Sequence, residues 1–250
     1  MAKKIRADVA LVERGQVESR AKAQALIMAG KVFLGEQKIA KAGHQIKEDQ
    51  SLDVRGKEHP WVSRGGLKLE KAMKEYAIDP QGWTVIDVGS STGGFTDVAL
   101  SHGAACVYSV DVGHGQLAWK LRSDDRVVVL EKTNARYLTE EQISTAADMV
   151  VCDASFISLK TVLPAALSLT KEQACMAVLI KPQFEVGRDN VGKGGVVRDP
   201  ALHKAVCDDM RDWVNSLSEW TVQGITESPI KGPEGNIEFL LYATKGAGNE

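Results

Sequence analysis

Residues 84–97 read TVIDVGSSTGGFTD. The first five form a short apolar run broken by Asp87, with the length and β-branched content of a buried strand. Six small residues follow, Gly89 to Gly94, and then helical spacing begins at Phe95. Such a turn builds little core and costs backbone entropy. It makes sense where something comes close to the main chain. Gly89, Gly93 and Gly94 allow that approach, while Ser90, Ser91 and Thr92 offer hydroxyls and amides.

The same unit repeats around it. From Gly82 onward strand candidates TVIDV, ACVYSVDV, RVVVLE, DMVVCD and MAVLIKPQF alternate with helices, among them LKTVLPAALSL and PALHKAVCDDMRDWVNSL. Alternating βα units predict a parallel sheet with helices on both faces, a Rossmann-like α/β body. The last two segments, WTVQGITESPI and EFLLYATK, are joined by KGPEGN and read as an antiparallel hairpin, a departure from the plain dinucleotide fold. Ligands of open α/β sheets sit beyond the carboxyl ends of the strands, where the glycine turn lies.

Three ligands compete for that turn. A dinucleotide pyrophosphate asks for GxGxxG, and the spacing here is G-x-x-x-G-G. A nucleoside triphosphate asks for a Walker sequence. The nearest string, Gly187 to Gly194, carries Gly194 where a magnesium-binding Ser or Thr is required. S-adenosylmethionine fits better. Its methionine part would lie along Asp87–Phe95, and its ribose hydroxyls would take an acidic residue at the end of the next strand, where Asp111 stands. Asn134, after the third strand, is a candidate for the adenine edge. A purely structural turn with a surface Asp111 is the alternative.

Composition sets the outer bounds. The 250 residues are 44% hydrophobic and 26% charged, ordinary for a globular protein of one mid-sized and one small domain. No apolar run approaches the roughly 18 residues of a membrane span, and the start lacks a signal-peptide core, so a cytoplasmic protein is expected. Cys106, Cys152, Cys175 and Cys207 are scattered, with no metal-ligand spacing among them. No metal is expected. Net charge is −2, but residues 1–58 carry +4 and the remainder −6. A basic head on an acidic body points to a polyanion held by the head.

That head has its own signals. ADVALVERG and SRAKAQALIMAG have apolar residues at helical spacing, each stopping at a C-capping glycine (Gly15, Gly30), with Ser19 as N-cap of the second. KVFLGEQKI reads as two short strands around Gly35–Glu36, and SLDV as a third. Arg6, Asp8, Ser19, Arg20, Ala23, Leu26, Ile27, Gly30 and Val32 together resemble the S4 RNA-binding domain. The resemblance implies that Arg6, Arg20, Lys22, Lys31 and Lys41 face RNA phosphates, read by shape and backbone more than by sequence. A solvated basic face is the bland alternative. Residues 59–63 form a linker, in which Pro60 disfavours helix at His59 and Trp61 can anchor against one of the units. Residues 64–250 form the body.

VIDVGSSTGGFTD resembles the cofactor motif of FtsJ-like RNA 2′-O-methyltransferases, whose sheets also end in a hairpin. With the S4-like head, and with SRGGLKL, CDASFISL, LIKPQFE and IEFLLY, the whole chain resembles the TlyA family of rRNA cytidine 2′-O-methyltransferases. By motif match, that family's Lys–Asp–Lys–Glu tetrad falls on Lys68, Asp153, Lys181 and Glu238. The chemistry suits these residue types. A ribose 2′-hydroxyl must lose a proton as it attacks a sulfonium methyl in line, and a lysine accepts that proton once burial or a nearby cation brings it down from about 10.4. Lys181 ends the apolar run MAVLI and precedes Pro182, Asp153 ends the apolar strand MVVCD, and Glu238 is expected in the last strand. Lys181 is expected as general base, Lys68 as its neighbouring cation, and Asp153 and Glu238 as their orienting groups, Asp153 also lying near the cofactor's methionine end. Buried ion pairing without catalysis is the structural alternative.

Phe156 is a candidate platform for an extruded base. Arg64, Lys132, Arg136 and Arg188 fall in loops on the same face and are candidates to track phosphates. The five histidines form no cluster. The partner implied is rRNA within a ribosomal subunit. The chain looks like the family's shorter form, which modifies the large subunit; a longer form also modifies the small one. Two other readings belong to different classes. One is a non-catalytic S4-type ribosome-assembly factor, and labelled methyl transfer to rRNA separates it. The other is a membrane-active haemolysin, a label the family has carried, and lysis of red cells by pure protein without RNA would favour it.

Overall fold

The computed structural model describes residues 4–17, 19–47, 50–54, 59–232 and 234–246. The end of the expected head, at residue 58, lies outside them, as does the side chain of Arg188.

The head comprises β1 (Lys4–Arg6), α1 (Ala7–Glu13), α2 (Arg20–Met28), β2 (Val32–Leu34), β3 (Gln37–Lys38), β4 (Gln45–Lys47) and β5 (Asp53–Val54). Both helices end as their glycines suggest, with Gly15 at φ +63° and Gly30 at φ +68°. Ser19 caps α2 by accepting from the Lys22 amide. The two strands around Gly35–Glu36 and the strand after them form one antiparallel set, in the order β3-β2-β5. A second pair, β1 with β4, was not anticipated. Ala7, Leu11, Ile27, Val32, Ile39 and Ile46 close a small core between helices and strands.

The body runs α3 (Gly66–Glu75), β6 (Thr84–Val88), α4 (Gly94–Ser101), β7 (Cys106–Val110), α5 (Trp119–Arg122), β8 (Val127–Leu130), β9 (Ala147–Cys152), α6 (Leu159–Val162), α7 (Pro164–Ser168), β10 (Thr170–Ile180), α8 (Pro182–Glu185), α9 (Pro200–Ser216), β11 (Trp220–Glu227) and β12 (Phe239–Lys245). Among the described residues seven strands form one sheet, in the order β11-β12-β10-β9-β6-β7-β8. β10, β9, β6, β7 and β8 are parallel, and β12 lies antiparallel between β10 and β11. This is the α/β body with a closing hairpin that the pattern implied. Alternate residues of each strand face opposite layers. Ile86, Val150 and Met176 pack with Val206 and Met210 of α9 on one side. Val85, Val107 and Met149 pack with Leu69 of α3 and Val98 of α4 on the other.

Three expected elements differ. The MAVLIKPQF strand ends at Ile180, because Pro182 has no amide hydrogen to give a ladder and instead starts α8. LKTVLPAALSL is two short helices, the second opening on Pro164. Glu238 stands one residue before β12 rather than within it.

Sheet order reverses at β6, which leads to β7 and β8 on one side while the chain returns to β9 on the other. Connections leave β6 and β9 in opposite directions, which opens a crevice at their carboxyl ends. Asp87 and Asp153 sit on its two sides, with the Asp153 amide donating to the Val88 carbonyl at 3.2 Å.

Candidate active site

A cavity of about 530 Å³ occupies that crevice. Lys68, Asp153, Lys181 and Glu238 line it, together with Asp87, Gly89, Ser90, Ser91, Thr92, Gly94 and Phe95. The four charged residues come from separate elements and meet. Lys68, on α3, reaches the Asp153 carboxylate at 3.0 Å and Glu238 Oε2 at 2.8 Å. Lys181 pairs with Asp153 Oδ1 at 2.8 Å and donates to the Asp153 carbonyl and Ser155 Oγ, both at 2.9 Å. Two lysines thus face two carboxyl groups, with Lys68, Lys181 and Glu238 buried, and such mutual pairing makes burial of these groups tolerable.

Burial works to lower the Lys68 pKa, but the charges of Asp153 and Glu238 outweigh it and hold the group above its ordinary value. Lys68 is therefore a fixed ammonium. Asp87 is the opposite case. Burial pushes its carboxyl up to about 7, and the Asp153 and Asp111 charges add to this while hydrogen bonds from Thr96 oppose it. Asp87 Oδ2 accepts from the Thr96 amide at 3.0 Å and hydroxyl at 2.7 Å. Oδ1 is buried and has no hydrogen-bond partner among the described residues. A cation reaching the floor of the cavity would meet it.

The glycines of the turn have a second cause besides ligand approach. A Cβ on Gly94 would stand 2.5 Å from Ser63 Oγ and 2.9 Å from the Gly66 nitrogen. The starts of α3 and α4 can touch only with small residues there, and that contact sets how far Lys68 reaches. Gly93 faces Leu117 and Leu121 rather than the cavity.

Asp111 and Asn134 do not line the cavity. The Asp111 carboxylate accepts from the Ser91 amide at 2.8 Å and the Gly113 amide at 2.7 Å, so it braces the turn. Asn134 caps the 3₁₀ turn Ala135–Tyr137 by accepting from the Arg136 amide. Sequence reading missed Ser63, Gln116, Ser155, Ile230, Lys231 and Gly232 on the wall, and Val12, Gly15 and Val17 from the head. Ser63 and Ser155 lie within the strings SRGGLKL and CDASFISL, and the run Ile230–Gly232 had a topological signal. It precedes an antiparallel strand, whose start lies beside the carboxyl ends of the parallel ones.

Of the candidate nucleic-acid contacts, Arg64 is exposed on the cavity rim with Lys231. Lys22, Lys31, Lys41, Lys132 and Arg136 are exposed, Arg136 lying over the Tyr137 ring. Arg6 and Arg20 both donate to buried Asp8 at 2.9 Å and keep exposed faces. Phe156 is 91% exposed with φ +66°, a backbone a bulky residue adopts at a cost, and its ring touches Phe184. Trp61 is buried in the body, beside α3 and α4.

Comparison with known proteins agrees with this architecture. Residues 61–245 match the FtsJ-like methyltransferase family and residues 5–52 the S4 domain. The chain is 49% identical over 242 residues to YqxC of Bacillus subtilis (strain 168), described as a candidate rRNA methyltransferase, covering 96% of this chain and 86% of that one. It is 47% identical over 243 residues to the 16S/23S rRNA (cytidine-2′-O)-methyltransferase TlyA of Mycobacterium tuberculosis, covering 97% and 90%. Among solved structures, a Streptococcus thermophilus protein labelled a candidate haemolysin superposes with a TM-score of 0.74 at 39% identity, over 99% of this chain and 90% of that one. No helix of the described residues is long and apolar enough to cross a membrane. With both domains matched and relatives of this similarity along nearly its whole length, the chain belongs to the TlyA family of S4-bearing, FtsJ-like methyltransferases.

Proposed function

We propose that the protein transfers a methyl group from S-adenosylmethionine to the 2′-hydroxyl of a cytidine in rRNA, with Lys181 as general base. The observation that carries this is the meeting of Lys68, Asp153, Lys181 and Glu238 beside a cavity whose floor is the orphaned Asp87 Oδ1. That oxygen suits the cofactor's α-ammonium group, and the cavity is large enough for a ligand of this class. Asp87, Ser90, Ser91 and Thr92 would hold the cofactor. When bound, it supplies an electrophilic methyl on a sulfonium.

The residues then divide the work. Lys181 enters as its free amine and takes the 2′-proton. Lys68, kept as an ammonium by Asp153 and Glu238, steadies the negative charge that gathers on the ribose oxygen. Asp153 holds both lysines, and Glu238 holds Lys68. Orientation of this kind supplies on the order of 7–11 kcal/mol in favourable cases.

Substrate delivery falls to the head, residues 1–58, through Arg6, Arg20, Lys22, Lys31 and Lys41, with residues 59–63 as linker. Arg64, Lys132, Arg136 and Arg188 continue the path for phosphates on the body, residues 64–250. The exposed ring of Phe156 serves as the stacking platform for an extruded base. Large-subunit rRNA in an assembled particle is the substrate we favour, with the protein acting in the cytoplasm. The deciding experiment is tritium transfer from labelled S-adenosylmethionine to rRNA by Lys181→Ala. Transfer should vanish while cofactor affinity stays within a few-fold, and full activity in that variant would falsify the assignment.

A further inference from the structure

We propose that the Ser155 hydroxyl is the group through which Lys181 discharges its proton to solvent, a positioning and relay role that rests on the reading of Lys181 as base. Three oxygens surround Lys181 Nζ: the Asp153 carbonyl and Ser155 Oγ at 2.9 Å, and Asp153 Oδ1 at 2.8 Å. An ammonium has three hydrogens and can donate to all three. A free amine has two hydrogens and a lone pair, so one of its neighbours must turn donor. A carbonyl and a carboxylate only accept. The serine hydroxyl does both, and it alone of the three can satisfy the nitrogen in either protonation state.

Exposure points the same way. Lys181 is 6% exposed, whereas Ser155 is exposed. The Asp153 carboxylate is already shared between Lys181 and Lys68, so protonating it would weaken two ion pairs together. Ser155 Oγ is the contact of Lys181 that leads outward.

The step balances without a co-reactant other than water. During methyl transfer the ribose O–H bond breaks and an N–H bond forms on Lys181. Afterwards one N–H proton passes to Ser155 Oγ while the serine's own hydroxyl proton passes to a solvent water. Lys181 is left as the amine and Ser155 as the hydroxyl, ready for another cycle.

The test uses the full chain with rRNA and saturating cofactor. Ser155→Ala should lower kcat at least tenfold, with KM for RNA and Kd for the cofactor within twofold of wild type. Its kcat should keep rising with pH after that of wild type has levelled, because loss of the ammonium proton has become limiting. Ser155→Thr keeps the hydroxyl and should recover activity to within about threefold. Wild-type kcat in Ser155→Ala would overturn the relay and leave the role of Lys181 standing. Equal losses in the Ala and Thr variants would overturn it too, since the hydroxyl would then be immaterial. Activity surviving in Lys181→Ala would instead remove the base reading on which the relay depends.

Discussion

The Asp87 carboxyl should make cofactor binding and protein stability respond to pH in opposite senses. It is 1% exposed, and Oδ1 is buried without a hydrogen-bond partner among the described residues. Its value rises from 3.8 to about 7, chiefly through burial. In the ligand-free protein the folded state therefore holds this proton more tightly than the unfolded chain does. The associated stability is complete below about pH 4 and drains away as pH climbs to about 7, a loss of about 4 kcal/mol. Asp87→Asn should accordingly stabilise the ligand-free protein by a few kcal/mol at about pH 8 and by little at about pH 4, measured by urea unfolding.

Binding runs the other way. The cofactor's ammonium pairs with the ionised carboxylate, so below about pH 7 a proton must leave for each molecule bound. Going from about pH 7 to about pH 5.5 should weaken binding roughly 15-fold. Calorimetry near pH 6, in buffers of different ionisation enthalpy, should register release of about 0.9 proton per cofactor. Asp87→Asn should bind weakly and with no such release. A Kd that stays flat across this window in the wild type, or the same proton count in Asp87→Asn, would refute the pairing.

Two further substitutions test the flanks of the site. Asp8 is fully buried and receives bonds from Arg6, Arg20 and Gln24, so Asp8→Ala should lower hydrogen-exchange protection of α1 and α2 by about 30-fold, on the order of 2 kcal/mol. Phe156→Ala removes a ring that water already surrounds, so unfolding stability should hold within about 0.5 kcal/mol while turnover on structured rRNA falls tenfold or more; equal turnover would mean that the ring only packs against Phe184.

Much of the body was legible because period and punctuation agree. β6 shows an apolar run, an acidic residue near its end and a small-residue turn, and no helical spacing competes with that pattern. Lys181 and Asp153 stand out as charges directly after apolar strands. The strands β1 and β4 could not be seen, since three residues hold a single polar–apolar–polar alternation, too short to mark a strand. The reason for Gly94 was hidden for another cause. A sequence shows that a side chain is missing but not what fills the space, and here it is the start of α3. Asp111 was legible as a candidate because it closes the strand next to the glycine turn. That its carboxylate also accepts from the Ser91 and Gly113 amides, and so braces the turn, depends on the path of the intervening loops, which the sequence does not show.

The closing hairpin looked like an eccentricity of the fold, and register gives it a reason. The parallel strands β6, β9 and β10 bring their carboxyl ends to the cavity and offer residues at or just after those ends. An antiparallel strand delivers the residue that precedes it. β12 pairs Phe239 with Ile180, and one step further along that register Glu238 comes opposite Lys181. On the other edge of β10, Val178 pairs with Cys152, which brings Asp153 up from β9. Three of the four charges are thus set by strand pairing, the most rigid placement a fold offers, and Lys68 is added from a helix resting on the sheet face. Glu238 is 1% exposed, and a lone carboxylate at such a depth is unfavourable. The ammonium of Lys68 makes it tolerable, and the glycines at the starts of α3 and α4 let that ammonium come near enough. The small residues of residues 89–94 therefore act on both sides of the turn, leaving room for a ligand on one and for a helix carrying a charge on the other.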